Sequence, residues 1–402
     1  MLLESTSSPG PRARLSLLAR RPRAVLVAGP GGVDITRDGQ AAFSTGDPLE
    51  VLRTLLQEVP PGEWPDEGGV AGALAYDYAR PGRPAAPTPL LVALAVDRFE
   101  VQPSAGPEPP DGPGAPEARL DLPAFSSLSH DAYCALVLQV KEHIARGDIY
   151  QANLSQRFRV PAAADGLALY GHLRRLSPAP FAGYLRAGGI EIVSSSPERL
   201  LAVEGTHAST RPIAGTRPRA ADPSADRALA AELMLSEKER AEHLMLVDLA
   251  RNDLGRVAQV GSVRVDELMV AEEYSHVRHI VSEVSARLAP GRDALDALRA
   301  LFPGGTITGV PKRRCMEILD ALEPVPRGFY TGAFFYLTRS GRLDANILIR
   351  SAVVTDGTVT FHAGGGIVAD SVPEREYEEA LHKAEALRLA LSATLAEAGL
   401  RV

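Results

Sequence analysis

Two glutamate pairs, far apart in the chain, constrain what this sequence can fold into. Glu239 and Glu242 stand three residues apart in SEKERAEHLMLVDLARNDLGRV (residues 236–257), and Glu376 and Glu379 repeat that spacing in PEREYEEALHKAEA (residues 373–386). Both stretches read as helices, and a spacing of three puts the two carboxylates of a pair on one face. Like charges on one face repel unless something positive lies between them. Neighbours such as Lys238 and Arg240 supply it on a solvated helix; a hard cation with oxygen ligands supplies it in a site. Repetition of the pair on a second helix favours a fold that brings both helices together around an acidic cradle for Mg²⁺. Further along the first stretch, residues 244–250 are apolar nearly all round apart from Asp248, which predicts a helix entering a core. Asn252, Asp253 and Gly255 then predict a helix stop and a turn.

At 402 residues the chain can bury a large core, in two or three domains or one big fold. A net charge of −7 gives no basic footprint for nucleic acid. No stretch is apolar enough to span a membrane, and the N-terminus lacks the apolar core of a signal peptide. The only cysteines, Cys134 and Cys315, are far apart, which fits a reduced cytoplasmic protein without a disulfide framework or zinc spacing. Residues 1–102 read as an antiparallel β unit with one helix: a strand at 24–28, a turn at Gly31-Gly32, an amphipathic helix at 48–59 and a buried strand in GGVAGALAYDYAR (68–80). The Pro- and Gly-rich run at 103–123 holds no regular element and predicts a linker over 103–125. A helix at 131–145, capped by Gly147, opens a single large domain over 126–396 in which strands alternate with helices.

Within that domain, GDIYQANLSQRF (147–158) predicts a turn into a strand with alternating faces, and IEIVSSSPERLL (190–201) a strand ending at Ser-Pro-Glu. Glu198 at that end is either a general acid, if burial raises its pKa toward neutrality, or the partner of Arg199 or another basic residue. TRPIAGTRPR (210–219) sets Arg211, Arg217 and Arg219 around a Gly-Thr turn suited to an anionic substrate. FPGGTITGVPK (302–312) is glycine-rich before a helix, so its N–H groups can cradle an anion, although Val310-Pro311 rules out a Walker motif. AGGGIVAD (363–370) lets a backbone approach a ligand closely, or only relieves crowding in a turn.

Together these blocks resemble the chorismate-utilising enzymes: anthranilate synthase component I, aminodeoxychorismate synthase component I, and the isochorismate and salicylate synthases. The resemblance covers about 126–396 with nearly every block in order, and more loosely LLES at 2–5 and the segment 68–80. It implies an α+β chorismate-binding fold, with large antiparallel β-sheets packed together and flanked by helices. It implies Mg²⁺ bound by Glu242 and Glu379, with Glu239 and Glu376 behind them, holding the ring carboxylate of chorismate. Arg350 and Tyr330 would take the enolpyruvyl carboxylate, helped by backbone N–H groups of Gly364, Gly365 and Gly366. Glu198 matches the acid that protonates the departing 4-hydroxyl, and His279 the histidine beside the ring. Ala214, Gly215 and Thr216 of PIAGT, and Thr306 of the glycine loop, would line the substrate. Lys312 matches a block too, and a structural salt bridge is its expected role.

The branch follows from particular positions. The water-adding branches resembled here carry a lysine base where this chain has Gln151, so water activation at ring C2 is not expected. The spellings PGGTITG, LDANILIR and GGGIVADS resemble aminodeoxychorismate synthase, which serves 4-aminobenzoate and folate synthesis. Ala214 instead resembles anthranilate synthase, because the aminodeoxychorismate enzymes carry a lysine there that adds to ring C2. The favoured expectation is 4-amino-4-deoxychorismate, with anthranilate as the alternative and a non-catalytic chorismate-binding regulator as a different class. Neither cysteine sits on a glycine-flanked elbow, so ammonia is expected to come from a separate glutamine amidotransferase subunit. With little chain before LLES, any tryptophan feedback site is expected to be degenerate.

Overall fold

The structure, a computed structural model, describes residues 1–4, 15–80, 88–103, 120–218, 222–273 and 277–400. Two antiparallel sheets form its frame. One runs Gly309–Val310, Gln151–Val160, Thr358–Ile367, Ser351–Thr355, Ile190–Ser196, Phe181–Ala187, Leu2–Glu4, Leu15–Leu18, Glu100–Pro103. The other runs Ile213–Pro218, Val277–Arg287, His207–Thr210, Arg199–Glu204, Leu343–Asn346, Ala333–Thr338, Gly69–Leu74, Leu91–Val96, Ala24–Gly29, Gly32–Arg37, Gln40–Ser44, with Arg264–Glu273 also paired to Val277–Arg287. Strands from the first hundred residues thus extend both sheets.

The burial pattern follows from what covers each face. Gly69–Leu74 and Leu91–Val96 are buried on both faces. On one face Ala71, Ala73, Val92 and Leu94 meet Leu185, Ile190 and Ile192 of the other sheet. On the opposite face Val70, Leu74, Leu91 and Ala93 meet the helix Pro48–Glu58 through Leu49, Leu52, Leu55 and Leu56. That helix starts where Asp47 accepts hydrogen bonds from the N–H groups of Leu49 and Glu50, with Pro48 at its first position. Of the Pro- and Gly-rich run, residues 104–119 lie outside the described part. Its last residues enter the short helix Leu122–Phe125, where no regular element was expected. Burial of Leu122 beside Phe158 and Val160 accounts for it.

The helix Glu237–Gly255 lies on the second sheet and the helix Pro373–Glu397 on the first. The former is not apolar all round as expected. His243, Leu246, Val247, Ala250 and Leu254 are buried, yet Leu244 is 50% exposed, because a sheet covers only one side. It ends at Gly255 and gives way to a turn, as Asn252, Asp253 and Gly255 predict. Asp253, in its last turn, points inward to an ion pair with Lys312; the Lys312 ammonium also donates to Leu301 O at 2.8 Å. Both ends of this pair are largely buried, so removing one strands the other. Asp253→Ala is expected to cost about 3–5 kcal/mol in urea unfolding. A loss under about 1 kcal/mol would assign the pair no part in holding this helix.

Two crossings between the sheets lie side by side. Ile190–Ser196 belongs to the first sheet and Arg199–Glu204 to the second, so Pro197 and Glu198 form one crossing. Leu343–Asn346 belongs to the second and Ser351–Thr355 to the first, so Ile347 to Arg350 form the other. Ile347 N–H donates to Glu198 O at 3.0 Å, and Ser195 N–H donates to Arg350 O at 3.1 Å. Among the described residues no helix is long and apolar enough to cross a membrane.

Candidate active site

A cavity of about 630 Å³ opens where these crossings meet the two carboxylate-bearing helices. Glu198, Ala214, Gly215, Glu239, Glu242, His279, Thr306, Tyr330, Arg350, Gly364, Gly366, Glu376 and Glu379 all line it. Of the other expected residues, the side chain of Thr216 lies outside the described part. Gly365 is not among the lining residues and faces the carboxylates of the helix: a Cβ there would stand 3.4 Å from Glu376 Oε2 and 3.5 Å from Glu379 Oε1.

Glu198 is 6% exposed. Burial pushes its pKa up to about 7, against the smaller pull of Thr306 and the Ile213 backbone N–H. The Thr306 hydroxyl is itself buried and too poorly aligned for a standard hydrogen bond. Arg199 does not neutralise the acid. Its guanidinium goes to Asp344 at 2.8 and 3.0 Å, and among the described residues no other basic group pairs with Glu198. A buried carboxyl that titrates near neutrality can both give and take a proton. His279 is buried as well, and desolvation lowers its pKa to about 4, so its ring is neutral at neutral pH. Its Nδ1 lies 3.3 Å from Gly215 O, which puts the ring proton on Nδ1 and leaves Nε2 an acceptor. Gly215 has φ +65°, and a Cβ there would meet Leu233 at 2.8 Å and Glu239 Oε2 at 2.9 Å, so the motif needs glycine at this point.

Arg350 ends the second crossing with φ +50°. Burial lowers its pKa, yet among the described residues its guanidinium has no ion-pair or hydrogen-bond partner. An arginine held out of bulk water without a counter-charge is an anion site. Tyr330 is buried, and desolvation pushes its phenol up to about 12, so it stays protonated as a donor. The glycine run is not a loop or turn. Gly364, Gly365 and Gly366 lie inside the strand Thr358–Ile367, paired to Ser155, Leu154 and Asn153. The neighbouring strand stops opposite Phe361, so one edge of the run has no strand beside it and its backbone can face a ligand.

Among the further residues that line the cavity are Gln151, Asn153, His362 and Lys383. Gln151 and Asn153, on one face of Gln151–Val160, keep buried Oε1 and Oδ1 atoms without a partner. Such atoms mark places that a ligand or water satisfies. His362 stacks on Tyr330 at 5.1 Å. Lys383 bonds Glu379 at 2.7 Å and donates to Gly364 O at 3.2 Å. Period-two alternation in QANLSQ and TVTFHAG carried the signal for the polar strand residues.

The four glutamates offer only carboxylate oxygens, the donor set for a hard divalent cation. Among the described residues, no three His, Cys, Asp or Glu side chains stand close enough to hold an ion. Cations of the protein meet two of them instead: Arg217 is 3.2 Å from Glu239, and Lys383 pairs with Glu379. The donors fit Mg²⁺ in kind, spread around the cavity rather than closed on one point.

Two expected anion loops are something else. Arg211 is buried among Glu267, Glu272 and Glu283, and Arg217 pairs with Glu232 and Glu239 on the strand Ile213–Pro218; Arg219 lies outside the described residues. In the segment 302–312, the N–H groups of Thr308 and Gly309 are both taken by Gly305 O, so these two do not cradle an anion. Neither thiol is activated: burial raises Cys134, and pushes Cys315 up to about 12. Of LLES, Ser5 is outside the described residues, while Glu4 accepts from Tyr170 at 2.6 Å and pairs with Arg174 at 3.3 Å.

Comparison with known proteins identifies the family. Residues 20–388 match the chorismate binding enzyme family. Anthranilate synthase component 1 of Methanothermobacter thermautotrophicus is 42% identical, over 96% of this chain and 88% of that protein. Aminodeoxychorismate synthase component 1 of Bacillus subtilis is 38% identical, over 100% of this chain and 93% of that one. The crystal structure of anthranilate synthase component I from Streptococcus pneumoniae superposes with a TM-score of 0.82 at 30% identity, covering 95% of this chain and 93% of that one. The chain, with its sheets crossing at Glu198 and Arg350, belongs to the chorismate-binding enzymes.

Proposed function

We propose that this chain is the chorismate-aminating component of an ammonia-dependent synthase and forms 4-amino-4-deoxychorismate. The observation that carries the reading is one cavity holding both a carboxylic acid poised near neutrality and a buried arginine without a counter-charge. Chorismate has two carboxylates. Arg350 and Tyr330 receive the enolpyruvyl one, with the open edge of Gly364–Gly366 beside it. Glu242 and Glu379 would hold Mg²⁺, with Glu239 and Glu376 behind them, and the ion supplies the positive charge that lets the ring carboxylate lie among glutamates.

Glu198 gives its proton to the 4-hydroxyl as the C4–O bond breaks, and the oxygen leaves as water. The C–N bond forms from ammonia, whose surplus proton returns to the Glu198 carboxylate. Neutral His279 stands by the ring with Nε2 as an acceptor. Unactivated Cys134 and Cys315 cannot release ammonia from glutamine, and relatives named component 1 point to a second, amidotransferase component. The isolated chain is therefore expected to turn over with ammonium salts and not with glutamine; glutamine-dependent turnover by the pure chain would refute this. With Glu4 tied to Tyr170 and Arg174, tryptophan at micromolar levels is expected to leave turnover unchanged.

Ala214 favours a second reading, attack at ring C2 and release of anthranilate, since no lysine is present there to form an adduct. The deciding experiment incubates the chain with chorismate, Mg²⁺ and ammonium, with and without a lyase that converts aminodeoxychorismate to 4-aminobenzoate. Lyase-dependent 4-aminobenzoate is expected. Anthranilate without lyase would replace this reading by the second one. Glu242→Ala and Glu379→Ala are each expected to abolish turnover at ordinary Mg²⁺, and near-normal rates in both would remove the metal assignment.

A further inference from the structure

The strand Gln151–Val160 serves two cavities along one face. Gln151 and Asn153 look into the chorismate cavity; Arg157 and Arg159, further along the same face, look into a second cavity of about 750 Å³. Between them Ser155 is bonded through N–H and Oγ to Glu323, which also neutralises the buried Arg327 at 2.7 Å. Arg157 has no such counter-charge. Among the described residues neither Arg157 nor Arg159 has an ion-pair or side-chain hydrogen-bond partner, and the Arg157 Nε is sealed from solvent without an acceptor. His362, cross-strand from Arg157, leaves its buried Nε2 unpartnered, and so does the buried Thr88 hydroxyl. All three groups line this cavity. A partly buried Arg157 guanidinium, with exposed Arg159 beside it and the orphaned His362 Nε2 and Thr88 hydroxyl around it, is costly unless something anionic satisfies it.

The remaining walls describe the rest of the ligand. Phe329, Ile192, Val353 and the stacked Tyr330–His362 pair give an apolar, flat lining, in a volume that admits an aromatic ring. The geometry points to a second binding site, for a small aromatic carboxylate whose charge lies on Arg157 and Arg159 and whose ring lies along the Tyr330–His362 side. Because Tyr330 and His362 wall both cavities, occupancy here bears on the groups beside the enolpyruvyl carboxylate; that consequence rests on the proposed function, whereas binding itself does not.

Benzoate is the probe, with benzamide as its uncharged counterpart, titrated calorimetrically into the full chain. Benzoate is expected to bind the wild type and Arg350→Gln alike, at least about tenfold more tightly than benzamide. Arg157→Gln is expected to weaken benzoate at least about tenfold, and Thr360→Trp, which fills the cavity from the same strand as His362, to abolish it. Loss in Arg350→Gln with retention in Arg157→Gln would overturn the proposal by assigning the anion to the chorismate cavity, and would leave the function intact. No benzoate binding to the wild type, or binding unaffected by both Arg157→Gln and Thr360→Trp, would overturn it as well. Inorganic phosphate displacing benzoate at equal concentration would overturn the aromatic part of the assignment.

Discussion

Glu198→Gln is expected to lower turnover about 10²–10⁴-fold while chorismate still binds, because the amide keeps the shape of the acid but has no proton to give. The same variant carries a stability signature. The folded carboxyl titrates at about 7 instead of 4.5, so between those values the folded protein holds a proton that the unfolded chain has released. Its contribution is fully present below 4.5 and is lost as pH rises through about 7, by an amount on the order of 3 kcal/mol. Glutamine does not titrate, so the variant should lose less stability than the wild type between about pH 5 and about pH 8. Urea midpoints at both pH values check this, and wild-type turnover should decline above about pH 7 as the acid ionises. Parallel stability slopes in the two proteins would mean that Glu198 is not desolvated as described.

Arg350→Gln should separate binding from folding in the opposite way. Two charge-assisted hydrogen bonds to a carboxylate contribute about 1.5–3 kcal/mol each, so chorismate should bind at least about a hundredfold more weakly. Stability should hold or rise, since the side chain forms no ion pair that its loss would break and its burial disfavours the charge. Chorismate titration and a urea midpoint on the same preparation measure both. Unchanged affinity would remove Arg350 from the substrate; a large drop in stability would give it a structural role.

Much of this was legible before any coordinates because the telling features were local. A three-residue spacing names a helix face whatever surrounds it, and Ser-Pro-Glu at a strand end marked Glu198 as a residue that ends one element and starts another. What failed was whatever depended on a distant strand. TRPIAGTRPR reads as an anion loop until Glu267, Glu272 and Glu283 arrive from strands fifty residues or more downstream and claim Arg211. AGGGIVAD reads as a turn until Gln151–Val160 pairs with it. His362 gave only the weak signal of strand alternation, since nothing near it in sequence announces Tyr330 as its stacking partner.

The two sheets are threaded through each other, and this has a consequence for biosynthesis. Gln151–Val160 finds its strand partners in Gly309–Val310 and Thr358–Ile367, both made long after it; among the earlier described residues it has the bridge between Phe158 and Ser126. Until the last of these leaves the ribosome, the segment with Leu154, Phe158 and Val160 lacks its strand partners, and neither half of the acid–arginine crossing can be tied down. Fragments ending before residue 367 should accumulate as aggregates rather than as a smaller folded unit.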